Sequence, residues 1–471
     1  MQATRFPARE PQRPRLLVVV GACLALGVLS LVVRSGLGYD PWAWLVWGRE
    51  LTRLDLDTLG GPSWKPLPVI LIAPFTWLGA LAPSIWLVFS RAAAFAAVAL
   101  SYRLASRFAG RAAGLVAAFG LCLSADFFVT GLRGYSEPLL IALAFAAIDQ
   151  HLDGRRLTAL ALGSAAGLLR PEIWLLTGLY GLYLLIAAGR PRTPGAWRFT
   201  AAVVLLVAAA PAIWLGLDLL GSGSALESSH VAQTSPLGSA ARADNPGLTV
   251  FARAADAVLP PVLLLALLSI PLAYRRRSHE VLTLAGAALT WVVVVAIMAE
   301  DGFTGRRRYL ILAAALMCVL AGVAVGWLAE ELSPRGRGVA LGVVAIVLAA
   351  FAFSPARTDY RLLRLARQQA DQVAELRDAV DAAGGARAVR AMGRPVVNPY
   401  VHTALAWKLD LPLHDVTATW SQSSRRDRWS PPAVLFRAPS KLAGPRPALP
   451  PGQGVTIARA GRWRVVRVSE R

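Results

Sequence analysis

Residues 34–65 concentrate ionisable and aromatic side chains, in G-Y-D-P-W-A-W-L-V-W-G-R-E-L and then D-L-D-T-L-G-G-P-S-W-K-P-L-P. Asp40, Arg49, Glu50, Asp55, Asp57 and Lys65 sit there among Trp42, Trp44, Trp47 and Trp64. Three further charged groups stand at the ends of apolar runs. They are Arg133, Tyr135 and Glu137 in G-L-R-G-Y-S-E-P, Arg170 and Glu172 in L-L-R-P-E-I-W, and Arg306, Arg307 and Arg308 just after Glu300 and Asp301. Ionisable groups that enter apolar segments are costly to bury and often functional. A carboxylate beside a cluster of cations can serve as general base while the cations hold an anionic leaving group. Guanidinium groups match phosphate oxygens bidentately, so the three consecutive arginines suit a phosphate ligand. Ion pairs with Glu300 or Asp301 are the structural alternative. Arg91, inside an apolar run, is expected to pair with Glu137 or a ligand, or else to snorkel to the membrane interface.

Other chemistries find no support in the sequence. There is no Walker loop and no G-x-G-x-x-G after a strand, so a nucleotide site is not indicated. The five histidines form no H-E-x-x-H set, and Cys23, Cys122 and Cys318 lie singly in apolar runs. Neither a zinc site nor a disulfide framework is expected.

The elements that must position these residues are apolar. Of 471 residues 56% are hydrophobic and only 16% charged, with a mean hydropathy of +0.51, whereas a soluble domain carries roughly 25% charged residues. Apolar runs occupy about 16–33, 84–102, 112–124, 136–150, 157–169, 173–188, 199–220, 257–274, 281–299, 309–328 and 339–354. They predict about eleven transmembrane helices. The first run follows Arg5, Arg9, Arg13 and Arg15 but lacks a small-residue cleavage pattern, so a retained helix is expected rather than a signal peptide. Run 66–82, with Pro66, Pro68 and Pro74, is expected to be an interfacial or re-entrant helix.

Charge distribution sets the orientation. With the N-terminus inside, the inner segments hold 17 basic residues against six acidic, while the longer outer loops hold slightly more acidic than basic. That is the positive-inside bias, and it explains a net charge of +21 without nucleic acid. An odd number of spans leaves the C-terminus outside. Residues 306–308 then lie on the side this bias disfavours, so something else requires them.

The expected organisation is a cytoplasmic basic N-terminus (1–15), a transmembrane domain (16–354) with its first outer loop at 34–83, and a soluble extracytoplasmic α/β domain (355–471). The last opens with a helix over 360–383, stopped by Gly384-Gly385, and continues in short strands such as Val396-Val397 and 433–436. Its net charge of +11 suits anionic lipid headgroups or an anionic glycan, or simply a solvated basic surface. Residues 42–54 have helical apolar spacing, which suggests an amphipathic helix lying at the interface. The alternative is an aromatic belt with solvated charges.

The first 350 residues resemble the GT-C superfamily of membrane glycosyltransferases, which includes the protein O-mannosyltransferases and the aminoarabinose transferases of lipid A. The carriers are Asp40 in the early outer loop, G-R-E-L with Arg49, K-P-L-P with Lys65, Glu137 in Y-S-E-P, and R-P-E at 170–172, a motif common in bacterial members. The resemblance implies an α-helical polytopic membrane protein of GT-C-like fold in the cytoplasmic membrane. It would move a sugar from a polyprenyl-phosphate donor to a hydroxyl of a glycan or protein acceptor, on the outer face, with inversion. Asp40 would be the base. Lys65, with Arg49 or Arg306, Arg307 and Arg308, would bind the donor phosphate. Glu137, with Arg133, Tyr135, Arg170 and Glu172, would supply a second acidic or substrate-binding set. Family members usually carry an acidic pair at the first site, whereas Pro41 follows Asp40 here, so Asp55 and Asp57 are rival bases. Some members use a divalent metal; no compact ligand set calls for one here, and no cofactor is expected. The competing expectation is a lipid-linked sugar transporter or flippase, or a non-catalytic scaffold for cell-envelope assembly. A transporter would favour internal repeats and polar groups near the midplane; no repeat is evident, and the charges gather at one face.

Overall fold

Apolar runs rich in Ala, Leu and Val form helices throughout the first 350 residues of the computed structural model, which describes residues 13–234, 238–419, 429–439, 444–449 and 454–470. Most of the basic N-terminal segment, residues 1–12 with Arg5 and Arg9, lies outside the described residues. The first helix is Arg13–Leu29.

Every apolar run falls on a helix, but the tally of spans differs from eleven. Runs 84–102 and 112–124 belong to one element, Ala82–Cys122, broken at Ala109 and at Gly110, whose φ is 79°. Among the described residues five helices are long and apolar enough to cross a membrane, or six if Pro246–Ala255 and Pro260–Arg276, which meet at 99°, form one span. The shortfall is one of length. Glu137–Leu152 and Ile173–Ala188 have 16 residues each and Arg156–Gly167 has 12. At about 1.5 Å per residue they fall short of a hydrocarbon core of about 30 Å.

Ile311–Glu330 is the central helix, buried along nearly its whole length. It packs on Ala82–Cys122 through Gly322 and Gly326, where an added Cβ would come within 2.2 Å of the carbonyl oxygens of Ala113 and Ala109. Small residues at such a seam let two backbones approach closely. Run 66–82 forms a short helix, Pro66–Ile72, and a 3-10 stretch, Ala73–Leu81, which turns at Gly79 before Ala82.

The apolar run at 339–354 does not end at the expected domain boundary. A single helix of 49 residues, Pro334–Ala382, carries it through Pro355 into the tail and stops at Gly384, which adopts the left-handed conformation that glycine tolerates best. Then come, among the described residues, the helices Gly385–Met392 and His402–Leu409 and five strands: β1 (Arg394–Val397), β2 (Thr417–Ala418), β3 (Ala433–Arg437), β4 (Val455–Ala460) and β5 (Trp463–Val468). The sheet runs β2-β1-β3-β5-β4, with β1 parallel to β2 and β3, and β5 antiparallel to β3 and β4.

The tail shares a core with the first loop. Leu376, Val389, Leu405, Leu409 and Leu413 cluster with Trp42, Trp44, Trp47, Trp64 and Trp86. This corrects the expectation of an interfacial amphipathic helix. The helix is Tyr39–Arg53, and every residue from Asp40 to Glu50 is buried. The tail covers one side of it and residues 66–81 another. Its tryptophans are core residues rather than a belt: Trp44 meets Trp86 edge-on and Trp47 meets Trp64, both at 5.4 Å between centroids.

Candidate active site

The first-loop helix begins after Gly38, and Pro41 stands in its first turn, where a missing N–H costs nothing. That start places Asp40 at a helix N-terminus, where the macrodipole favours a carboxylate. Gly38 itself is required: a Cβ there would lie 2.4 Å from the Tyr135 ring. Gly38→Ala is therefore expected to displace Tyr135 and to destabilise the protein by about 1–3 kcal/mol, seen as a lower melting temperature in detergent.

Asp40 Oδ2 accepts a hydrogen bond from Arg308 Nη2 at 3.1 Å. Arg308 sits on the 3-10 turn Arg307–Leu310, with its guanidinium 5.0 Å from the centre of the Tyr135 ring and 5.2 Å from that of Tyr309. Lys65, the last extended residue before the Pro66–Ile72 helix, donates from Nζ to Ser136 Oγ at 3.0 Å and lies 5.7 Å from the Trp44 ring centre. Glu137 opens the Glu137–Leu152 helix, and its Oε1 accepts from Arg170 Nη2 at 3.1 Å. Arg170 also stacks on Tyr309 at 3.9 Å and lies 3.7 Å from Glu172. Asp40, Lys65, Glu137, Arg170 and Glu172 are all buried.

Three cations, Lys65, Arg170 and Arg308, thus meet three carboxylates, Asp40, Glu137 and Glu172. Asp40, Lys65, Arg170, Glu172, Arg306 and Arg308 line a cavity of about 1060 Å³; Glu137 stands behind it. Several buried atoms have no partner among the described residues: Glu137 Oε2, Glu172 Oε2 and Arg308 Nε. Burial, reinforced by the charge of Arg170, lowers the pKa of the Lys65 ammonium despite the nearby Glu137. Of these only Arg308 Nε is a donor, and with the Lys65 ammonium beside it this part of the cavity suits an anion; the two carboxylate oxygens would take a donor such as a hydroxyl.

Several predicted site residues lie elsewhere. Arg49 is buried away from this cavity, donating to the carbonyls of Trp407 (3.4 Å) and Leu411 (2.9 Å) and pairing with Asp410 at 3.0 Å. Arg307 pairs with Asp126 at 3.1 Å. Arg133 lies 5.8 Å from the Tyr135 ring centre, outside the cavity lining. Asp55 is exposed, and Asp57 Oδ2 meets His414 Nδ1 at 2.7 Å; neither carboxylate lines the cavity. The arginine triplet does not pair with Glu300 or Asp301. Those carboxylates accept instead from the Gly247 amide and from Gln233. Arg91 neither reaches Glu137 nor snorkels. It is buried and donates to the carbonyls of Ser30, Val33 and Leu132 and to Ser35 Oγ, tying three segments together.

No local feature of the sequence points to Tyr39 or His402. His402 Nε2 faces the carbonyls of Leu413 (2.9 Å) and Val416 (3.0 Å), so it carries the proton, and Nδ1 accepts from the Tyr39 hydroxyl at 3.2 Å. Burial lowers the pKa of this imidazole. Thr403 Oγ1 also donates to the Tyr39 carbonyl at 2.9 Å. The tail therefore grips the residue before Asp40, and its own His402, Leu413, His414 and Val416 form part of the cavity wall. Tyr309, directly after the arginine triplet, was within reach of sequence reasoning. His402, far along the chain, was not.

Glu50, on the same helix, is raised to about 8 by burial, against the opposing hydrogen bond from the Asp57 amide. A carboxyl group whose folded pKa exceeds its unfolded one holds its proton more tightly in the folded state. Stability then falls as pH rises from the unfolded value near 4.5 to about 8, and levels off above it. Glu50→Gln is expected to melt higher than wild type at pH 9 and to match it at pH 5. Parallel melting curves across that range would contradict the assignment.

Among the described residues no group of three His, Cys, Asp or Glu side chains is spaced to hold a metal ion. No family model matches the chain, and no curated protein matches it in sequence. Among solved structures, ArnT from Cupriavidus metallidurans bound to undecaprenyl phosphate aligns with a TM-score of 0.58 at 15% identity, over 97% of this chain and 98% of that one. The same protein in the apo state gives 0.56 at 15% identity, over 96% and 98%. The chain shares its fold with ArnT: a mostly helical body with several apolar helices long enough to cross a membrane, and a small C-terminal sheet.

Proposed function

We propose that this protein is a membrane glycosyltransferase that moves a sugar from a polyprenyl-phosphate donor to an acceptor hydroxyl. One observation carries the proposal: a single cavity contains a buried carboxylate, Asp40, at a helix N-terminus, with the buried cations Lys65 and Arg170 and the half-buried Arg308 around it. The fold adds support, since the structurally similar ArnT binds undecaprenyl phosphate. Asp40 takes the proton of the acceptor hydroxyl as that oxygen attacks the anomeric carbon. The sugar–phosphate bond breaks in the same displacement, with inversion, and the lipid phosphate leaves with both electrons of that bond. Lys65 and Arg308, with Arg306 at the rim, hold the leaving phosphate; Arg170 is steadied by Glu137 and Glu172. The Asp40–Arg308 pair gives the donor a second effect. A donor phosphate that draws Arg308 away frees the Asp40 carboxylate oxygen that now accepts from it, so that it can take the acceptor's proton.

The reaction is assigned to the outer face of the cytoplasmic membrane, with the tail on that face, because the positive-inside bias places the first loop and residues 306–308 there. A flippase would carry the same donor without breaking its bond. The gathering of Asp40, Lys65, Arg170 and Arg308 around one cavity favours the enzyme.

The phosphate assignment is tested by titrating undecaprenyl phosphate into the purified protein. Wild type is expected to bind, and Lys65→Ala and Arg308→Leu to weaken binding by about tenfold each, as the loss of one charged hydrogen bond would. A wild type that does not bind, or variants that bind equally well, would remove the phosphate assignment.

A further inference from the structure

A second cavity, of about 820 Å³, lies beside the other face of the helix that carries Asp40. With about 3.6 residues per turn, Trp42, Arg49 and Arg53 fall on one stripe of that helix, and Asp40 projects to nearly the opposite side. The stripe lines the second cavity together with Trp77, with Arg377 from the long helix and with Lys408 from the tail. Neither Asp40 nor Lys65 is part of it.

Its charges do not cancel. Arg49, Arg53, Arg377 and Lys408 face two carboxylates, Asp381 and Asp410. Asp410 is engaged by both Arg49 and Arg53, at 3.0 Å each. Among the described residues neither Arg377 nor Lys408 has a carboxylate within ion-pair distance. Burial, and then the charge of Arg377, depresses the Lys408 ammonium to about 8 against the pull of Asp381 and Asp378. Arg49 Nε adds a buried donor without a partner.

The position of the cavity matters as much as its sign. Ser35 and Gly36, on its wall, directly follow the first apolar helix, and Ser84 stands at the start of Ala82–Cys122. The Gly36 amide donates to the Ala366 carbonyl at 3.4 Å, which brings the long helix to the same level. Trp77, on the wall, is 79% exposed, and Leu81 beside it is 61% exposed. Exposed tryptophan at the ends of apolar helices marks the headgroup level of a bilayer.

We infer that this cavity binds the phosphate headgroup of an anionic membrane lipid, with Arg377 and Lys408 on the phosphate and Trp77 against the lipid's apolar portion. Clustered basic side chains at the membrane surface recognise anionic headgroups in this way. The site is independent of the transfer reaction and stands whether or not sugar transfer is found.

The test is native mass spectrometry of the full-length protein released from micelles that contain phosphatidylglycerol and phosphatidylcholine in equal amounts. Wild type is expected to retain phosphatidylglycerol at least tenfold over phosphatidylcholine. The double variant Arg377→Gln/Lys408→Gln should lose that preference, while Lys65→Ala, in the other cavity, keeps it. A double variant that retains phosphatidylglycerol as wild type does would overturn the inference, as would an equal loss in Lys65→Ala. Displacement of the lipid by millimolar inorganic phosphate would show a site for soluble anions and overturn the lipid assignment. Should the double variant melt early, Arg377→Gln alone decides. This exposed side chain has no ion-pair partner to lose, and its preference is expected to fall about threefold; no change would count against the site.

Discussion

Replacing Asp40 by asparagine is expected to lower kcat for sugar transfer by about 10²–10⁴-fold, the range for losing a positioned general base. Donor binding should persist, because asparagine keeps the shape of the side chain and leaves Lys65, Arg170 and Arg308 in place. It should improve if anything, since Arg308 is freed from the carboxylate it now meets at 3.1 Å. The fold should also survive. The Asp40–Arg308 pair is partly exposed, at 12% and 21% of the two side chains, so its loss costs less than that of a fully buried pair. An Asp40→Asn enzyme with near-normal kcat would exclude Asp40 as the base. Asp55 and Asp57 would be poor replacements, being outside the cavity.

Glu137→Ala should be the most damaging single change for stability. Glu137 and Arg170 meet at 3.1 Å with side-chain exposures of 0% and 5%. Removing one member of a buried pair strands the other charge, at a cost of about 3–5 kcal/mol. Here the effect spreads beyond Arg170, because Lys65 and Arg308 also lie in the field of Glu137. Glu137→Gln keeps an acceptor for Arg170 and should recover part of the loss. Thermal melting in detergent distinguishes the three proteins; equal melting temperatures would show that the cluster tolerates excess positive charge.

The helices were legible because apolar runs have no other way to satisfy their backbone inside a membrane. Their number as spans was less so, since a run of 12 to 16 apolar residues can pack inside a bundle as a short helix. The boundary at 355 was read from a drop in hydropathy. Helix formation ignores that drop, and residues beyond Pro355, rich in Arg, Leu, Gln and Ala, continue the same helix. The parallel and antiparallel mixture in the tail was visible only as short apolar strands.

The candidate site was legible by residue type and not by proximity. Glu137, Arg170, Glu172 and Arg308 stand out because charge next to apolar runs is costly, Asp40 and Lys65 through the resemblance to GT-C enzymes, and the fold brings them together. The same two lines of reasoning also draw in Arg49, through the resemblance, Arg307, through its place among charges beside an apolar run, and Asp57, again through the resemblance. Those residues spend their charge on Asp410, Asp126 and His414, contacts that dock the tail and brace one loop against another. Charge pattern alone does not separate a loop that binds substrate from one that binds the rest of the protein. The Tyr39–His402 contact spans most of the chain and leaves no local trace.

Transfer itself is the most direct measurement. Wild-type protein in proteoliposomes, given a radiolabelled polyprenyl-phosphate sugar and a membrane extract as acceptor, should move label to acceptor and release an equal amount of unglycosylated polyprenyl phosphate. Asp40→Asn should do neither. Donor recovered intact on the opposite leaflet, with no polyprenyl phosphate released, would contradict glycosyl transfer and identify a flippase.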